Sequence, residues 1–236
     1  MIGRIRSVAM TLAALLAPWH AATAAAQTPG DPWEADIARF EEADRVTPPP
    51  RGQIVFVGSS SIRLWDTRTA FPDLQIINRG FGGSDLSDAV RYADRIVIPY
   101  QPRLVVVYAG DNDIAGGKLS EQVVVDAERF VSRLRAQLPE ARIIFIGIKP
   151  SPLRWMQVDR MRTTNAMLRQ LAERDDRVAF MDVDGPMMGW DERPRRELFL
   201  ADGLHLSPEG YRLWTTLLRP LLVAPPPGVP TATNGR

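Results

Sequence analysis

Ile54-Val55-Phe56-Val57-Gly58-Ser59-Ser60-Ser61 joins four apolar, β-favouring residues directly to a loop of small residues. Four more apolar runs follow, at Gln75 to Asn78, Leu104 to Ala109, Ile143 to Gly147 and Val178 to Asp182. Between them the spacing turns helical. Val124, Ala127, Phe130/Val131, Leu134 and Leu138 form one stripe, with Ser120 as its cap, and Met161, Leu168 and Leu171 form another. Upstream, Asp31-Pro32 reads as an N-cap and first helical residue, followed by Trp33, Ile37 and Phe40 until Pro48-Pro49-Pro50 stops the element. Downstream, Ser207-Pro208-Glu209 opens a last helix with Tyr211, Trp214, Leu218 and Leu221 on one face. Strands alternating with helices predict an α/β protein, with a parallel sheet covered by helices on both faces.

The ends of the chain differ from this middle. Arg4 and Arg6 precede an apolar stretch from Val8 to Ala17 and then small residues through Ala24-Ala25-Ala26, the order of a secretory signal peptide. The apolar stretch is about half the length that spans a bilayer. Residues 1–26 are therefore expected to be a signal peptide, 31–223 one domain and 224–236, rich in Pro, Gly and Thr, a disordered tail. This places the domain outside the cytoplasm, in the periplasm or the extracellular space. Removing Arg4 and Arg6 from 29 Lys and Arg leaves 27 against 28 Asp and Glu, a formal charge of −1, so nucleic acid is not an expected partner. With zero Cys, thiolate nucleophiles, cysteine metal sites and disulfides are all absent. Of two histidines, His20 lies in the signal segment, so His205 is the one imidazole left for proton transfer near neutral pH.

In open parallel sheets the loops leaving the carboxyl ends of the strands line the binding crevice. Those loops are Gly58-Ser59-Ser60-Ser61, Gly80-Phe81-Gly82-Gly83 and Gly110-Asp111-Asn112-Asp113, and Asp202-Gly203-Leu204-His205 precedes the last helix. Each alone has an ordinary reading as a turn, a helix cap or a structural ion pair. Together they supply what acyl transfer needs. A serine hydroxyl becomes nucleophilic when a base takes its proton, and the developing oxyanion needs preorganised N–H donors. The Gly-rich loop lacks the Lys-Ser/Thr of a phosphate-binding P-loop. Ile62 occupies the position where an α/β-hydrolase elbow requires glycine.

At these residues the chain resembles the SGNH hydrolases, the GDSL-like lipase/esterase superfamily, whose four blocks contribute Ser, Gly, Asn and His in that order. The matching positions are Ser60 in Ile54–Ser60, Gly83 in Asn78–Gly83, Asn112 in Gly110–Asp113, and His205 with Asp202. The likeness runs from about Arg51 to Leu222. The family usually has Asp between the block's glycine and its nucleophile, and here that residue is Ser59. Gly-Ser-Ser-Ser-Ile-Arg-Leu-Trp looks like a variant of secreted members, which also carry a loop like Lys149-Pro150-Ser151-Pro152-Leu153-Arg154-Trp155. Aligning Gly58 with the family glycine selects Ser60 among three adjacent serines, leaving Ser59 and Ser61 as turn and cap residues.

The resemblance implies a flavodoxin-like three-layer α/β/α sandwich on a five-stranded parallel sheet. It implies a serine esterase with a Ser60-His205-Asp202 triad, an oxyanion hole of Ser60 and Gly83 N–H groups with the Asn112 amide, and no metal or organic cofactor. Arg63, Trp65, Arg154 and Trp155 are candidate substrate-binding residues, since arginine can meet anionic groups and tryptophan can stack on sugars or pack on acyl chains. No long apolar insertion resembles a lid, which favours small or soluble acyl esters, and the exported location points to cell-envelope or environmental glycan esters; no protein partner and no stable membrane span are expected. Two other readings use the same residues: a catalytically weak glycan- or ligand-binding member of the fold, and a metal-dependent phosphoester hydrolase using Asp111 and Asp113.

Overall fold

The structure, a computed structural model, describes residues 30–224. The expected signal peptide at 1–26 and the tail from 225 lie outside them. Gly30 to Pro32 belong to a separate N-terminal unit, and the fold described here begins at Trp33. In chain order its elements are α1 (Glu34–Val46), β1 (Ile54–Gly58), α2 (Ser60–Arg63), α3 (Thr67–Ala70), β2 (Ile76–Gly80), α4 (Leu86–Ile96) and β3 (Leu104–Tyr108). There follow α5 (Asp111–Ala115), α6 (Ser120–Gln137), β4 (Arg142–Ile146), α7 (Val158–Glu173), β5 (Val178–Met181), α8 (Asp184–Met187) and α9 (Pro208–Val223). Short 3-10 turns lie at Ile98–Tyr100, Trp155–Gln157 and Arg196–Leu198.

All five strands are parallel, in the order β2-β1-β3-β4-β5. Every residue of β1 and β3 is buried, as strands covered on both faces must be. Alternation sorts their side chains by layer. Val55, Val57, Val105 and Val107 join Ile37, Leu86, Tyr92, Phe130 and Met161 of the helices on one face. Ile54, Phe56, Leu104, Val106 and Tyr108 face the other way, against Trp65, Phe71, Trp214 and Leu218. The chain leaves β1 for β2 on one side and later passes to β3, β4 and β5 on the other. This reversal opens a crevice at the carboxyl ends of β1, β2 and β3.

Several expected boundaries move. α1 starts at Glu34 rather than just after Asp31, because Trp33 is the residue whose carbonyl accepts the first helical bond, from Ile37. Its indole N–H, meanwhile, donates to the Gly82 carbonyl at 3.0 Å. The cap of α6 is Leu119, whose N–H donates to Gln122 Oε1 at 2.8 Å; Ser120 instead accepts from the Thr164 hydroxyl of α7 at 2.9 Å. β2 extends to Gly80 because Arg79 and Gly80 still pair with Val57 and Gly58. α4 was not anticipated. Its buried face, Leu86, Ala89, Tyr92, Ala93 and Ile96, has the right spacing but carries two alanines, so the apolar stripe is thin. The Ser207 cap of α9 holds, its hydroxyl accepting from Gly210 N–H at 3.2 Å.

Candidate active site

The first strand ends in a turn that only glycine can make. Gly58 has φ +135°, and a Cβ there would sit 1.9 Å from the Tyr108 carbonyl oxygen of β3. That carbonyl accepts the Ser59 N–H at 3.0 Å, while the Gly58 carbonyl accepts the Phe81 N–H at 2.9 Å. The turn carries the chain sharply from β1 into α2 and leaves Ser60 at the first position of that helix. Ser59 and Ser61 are each 1% exposed, whereas Ser60 is only half-buried. Ser60 is thus the serine that solvent and a ligand can reach. Ser59 stands at the cap position with no side-chain cap bond, and its hydroxyl has no partner; the Ser61 hydroxyl lies 3.3 Å from Lys149 Nζ.

The loop before α9 brings His205 to this serine. His205 Nε2 lies 3.1 Å from Ser60 Oγ, and His205 Nδ1 lies 2.6 Å from Asp202 Oδ2. Gly203, at φ +64°, lets the loop fold back so that Asp202 Oδ1 accepts the N–H groups of Leu204 at 2.9 Å and His205 at 3.0 Å. The His205 hydrogen bond, then these two N–H groups, hold the Asp202 carboxyl at about 2, below its ordinary 3.8. An ionised carboxylate against Nδ1 requires a proton there, which leaves Nε2 to accept from the Ser60 hydroxyl. The relay is therefore poised in one direction.

Two further residues close the crevice. Gly83 has φ +81°, and a Cβ built on it meets nothing within 4 Å, so its left-handed turn faces open space. Among the described residues, the N–H groups of Ser60 and Gly83 donate to no neighbouring loop carbonyl. Asn112, on α5, donates from Nδ2 to the Ser84 carbonyl at 3.0 Å. The Gly83 loop is held by Asp113, fully buried, whose carboxylate accepts the Leu86 N–H at 3.1 Å and 3.2 Å. Lys118 Nζ reaches the same carboxylate at 2.7 Å.

The four candidate substrate contacts lie in different places. Arg63 is exposed and runs over Gly82, where an added Cβ would come 2.9 Å from its Nε. Trp65 is 3% exposed, wedged among Phe56, Phe71, Tyr211 and Trp214. Trp155 is half-buried, with the guanidinium groups of Arg162 and Arg193 over its ring. Arg154 turns inward to Asn112 and Asp111. Beside His205 runs an apolar groove of about 680 Å³, walled by Leu64, Trp65, Ala70, Leu200, Leu206 and Tyr211.

Beneath Asn112 lies a group that sequence reasoning did not assign. Lys149, 1% exposed, contacts Asp111 Oδ2 at 2.9 Å, the Tyr108 hydroxyl at 3.0 Å and Ser61 Oγ at 3.3 Å. Burial pushes the Asp111 carboxyl up, but the charges of Lys149 and then Arg154 pull it below the ordinary range. The available signal was a lone lysine ending the apolar run Ile143 to Ile148. Its partners become visible only when the strand ends are brought together.

Residues 62–213 match the GDSL-like Lipase/Acylhydrolase family, a span that begins just after Ser60. Platelet-activating factor acetylhydrolase IB subunit alpha2 of Rattus norvegicus is 28% identical over 169 residues, covering 67% of this chain and 70% of that protein. Its counterpart in Gallus gallus is 26% identical over 192 residues, covering 77% and 79%. Among solved structures, a GDSL-like lipase of Bacteroides thetaiotaomicron superposes with TM-score 0.68 at 20% identity, over 80% of this chain and 97% of that one. At that identity the structural likeness speaks to the fold.

Proposed function

The chain belongs to the GDSL-like lipase/acylhydrolase family of hydrolases, and from that premise we propose that it cleaves carboxylic esters by acyl transfer through Ser60. The observation that carries this reading is the hydrogen-bonded line from Ser60 Oγ through His205 to Asp202 at the carboxyl edge of the sheet. His205 Nε2 takes the Ser60 proton as Oγ attacks the ester carbonyl carbon. The oxyanion is met by the Ser60 and Gly83 N–H groups and by the Asn112 amide. His205 then returns the proton to the departing alcohol. Water, deprotonated by the same nitrogen, attacks the acyl-serine; the acyl–Oγ bond breaks, Ser60 Oγ takes the proton back from His205 Nε2, and the carboxylic acid leaves.

Several features bear on the substrate. The curated relatives are named acetylhydrolases, which supports a short acyl group. The apolar groove starts one turn beyond Ser60, at Leu64, and adjoins His205 at Leu206, so an apolar part of the ester fits there. Arg63 at the rim suits a polar or anionic alcohol. Asp111 and Asp113, on which a metal-dependent reading would rest, already face Lys149, Arg154 and Lys118. The signal-peptide pattern supports work in the periplasm or outside the cell.

A chain-length panel of p-nitrophenyl and sugar acetate esters tests the proposal, with Ser60→Ala and Ser61→Ala in parallel. The expected loss in Ser60→Ala is on the order of 10⁴- to 10⁶-fold in kcat. Near-wild-type turnover by Ser60→Ala would remove the nucleophile and the mechanism with it.

A further inference from the structure

We propose that Arg154 is the positioning residue of the oxyanion donor Asn112, anchored for that task by the buried Asp111–Lys149 pair; this rests on the esterase reading. The Asn112 amide is held at both ends. Its Oδ1 accepts from Arg154 Nη2 at 2.9 Å and its Nδ2 donates to the Ser84 carbonyl at 3.0 Å. Turning the amide over would set NH2 against a guanidinium and oxygen against a carbonyl, so the network permits one orientation. One of the two Nδ2 hydrogens is spent on Ser84, and the other is free for an oxyanion. A cation on Oδ1 also polarises the amide and makes that hydrogen a stronger donor.

The support beneath is unusual in its charge. Arg154 Nη1 lies 3.1 Å from Asp111 Oδ2, which Lys149 also contacts at 2.9 Å. Two cations and one carboxylate, with side-chain exposures of 16%, 1% and 6%, leave one excess positive charge under the donor. An oxyanion would be the missing counter-charge, so the cluster favours the transition state over the neutral ester. The loop that carries Arg154 is itself tied to the acid-base loop, Leu153 N–H donating to the Gly203 carbonyl at 3.0 Å. One segment thereby steadies the donor and the loop that bears His205.

The test is a double-mutant cycle with steady-state kinetics on a short-chain aryl ester. Asn112→Ala should lower kcat by on the order of 100- to 1,000-fold. Arg154→Met should lower kcat by roughly 10- to 100-fold with KM nearly unchanged, since it weakens that donor rather than deleting it. Arg154→Lys, which keeps the cation without the planar fork, should recover part of the loss. Added to Asn112→Ala, Arg154→Met should cost less than about 3-fold more. A raised KM at constant kcat, or losses that multiply in the double variant, would overturn the proposal by making Arg154 a substrate contact or an independent contributor. The side-chain amide resonances of Asn112 give a readout that needs no turnover. Arg154→Met and Arg154→Lys should both shift that NH2 pair, and an unmoved pair in either folded variant sinks the assignment. Ester turnover that survives in Ser60→Ala, with the amide pair still responding to Arg154, would instead reject the Ser60 acyl-transfer mechanism alone.

Discussion

At the scale of single residues, two glycines of the crevice share a left-handed backbone and differ in what surrounds it. Gly58 is pressed against β3, where a methyl group would lie 1.9 Å from the backbone oxygen of Tyr108. Gly83 opens onto space. Alanine at either position carries the left-handed penalty of about 1–2 kcal/mol, but only at Gly58 must two strands also move apart. Gly58→Ala is therefore expected to unfold or to lose far more Tm than Gly83→Ala. Gly83→Ala should remain folded, because a Cβ there meets nothing within 4 Å, while kcat falls if the Gly83 N–H is the oxyanion donor proposed above, since the left-handed turn that presents it is strained. Thermal melts and ester turnover of the two variants decide this; equal Tm losses would refute the packing argument. Asymmetry of the same kind separates the three serines. They are indistinguishable as residue types, and the resemblance alone selects Ser60 in the sequence; in the fold, Ser60 is half-buried between two buried neighbours.

Among elements, the side chain that ties the helices around the Gly83 loop is Lys118. Its ammonium reaches Asp85 before α4 at 3.3 Å, Asp113 on α5 at 2.7 Å and Asp126 on α6 at 3.2 Å. Burial pushes the Asp113 carboxyl above its ordinary 3.8 even with Lys118 pulling the other way, so this carboxylate depends on its partners. Lys118→Met strands the buried charge at a cost of about 3 kcal/mol or more, a fall in Tm on the order of 10 °C. Lys118→Met with Asp113→Asn should be more stable than Lys118→Met alone; a double variant that melts lower would contradict the account. None of this could be read from the chain beforehand. What was legible at this scale were elements whose signal is local: the continuous apolar runs of β1 and β3, the stripe of α6, and the cap of α9. α4 was missed because alanines fill much of its buried face, and the Lys149 cluster because the partners of Lys149 lie 38 to 88 residues before it in sequence. The four loops of the site were legible for an opposite reason, since each follows a strand or precedes a helix and the topology rule for parallel sheets does the rest. Trp65 shows the limit: composition cannot tell a ligand platform from a core wedge, and its four aromatic neighbours make it chiefly the latter.

At the scale of the whole molecule, the carboxylates set how the fold responds to acid. Its stability comes from two apolar layers on one sheet, with zero Cys to cross-link it, so proton uptake by carboxylates is the main acid threat. Asp111, Asp175 and Asp202 all lie below their ordinary 3.8, and Glu41 lies below 4.5. A depressed carboxyl contributes stability that is fully present above its unfolded value and is lost as pH falls through its folded one. For Asp202 that window runs from 3.8 down to about 2. Asp113 and Asp88 are raised instead, so their protonation on mild acidification relieves the fold rather than straining it. Near-UV circular dichroism should therefore stay native on mild acidification and collapse only as pH drops below about 4, the ordinary carboxyl range. An acid titration followed by near-UV circular dichroism checks this; a collapse well above pH 4 would mean that acid unfolds the sheet by a route other than protonation of these carboxylates.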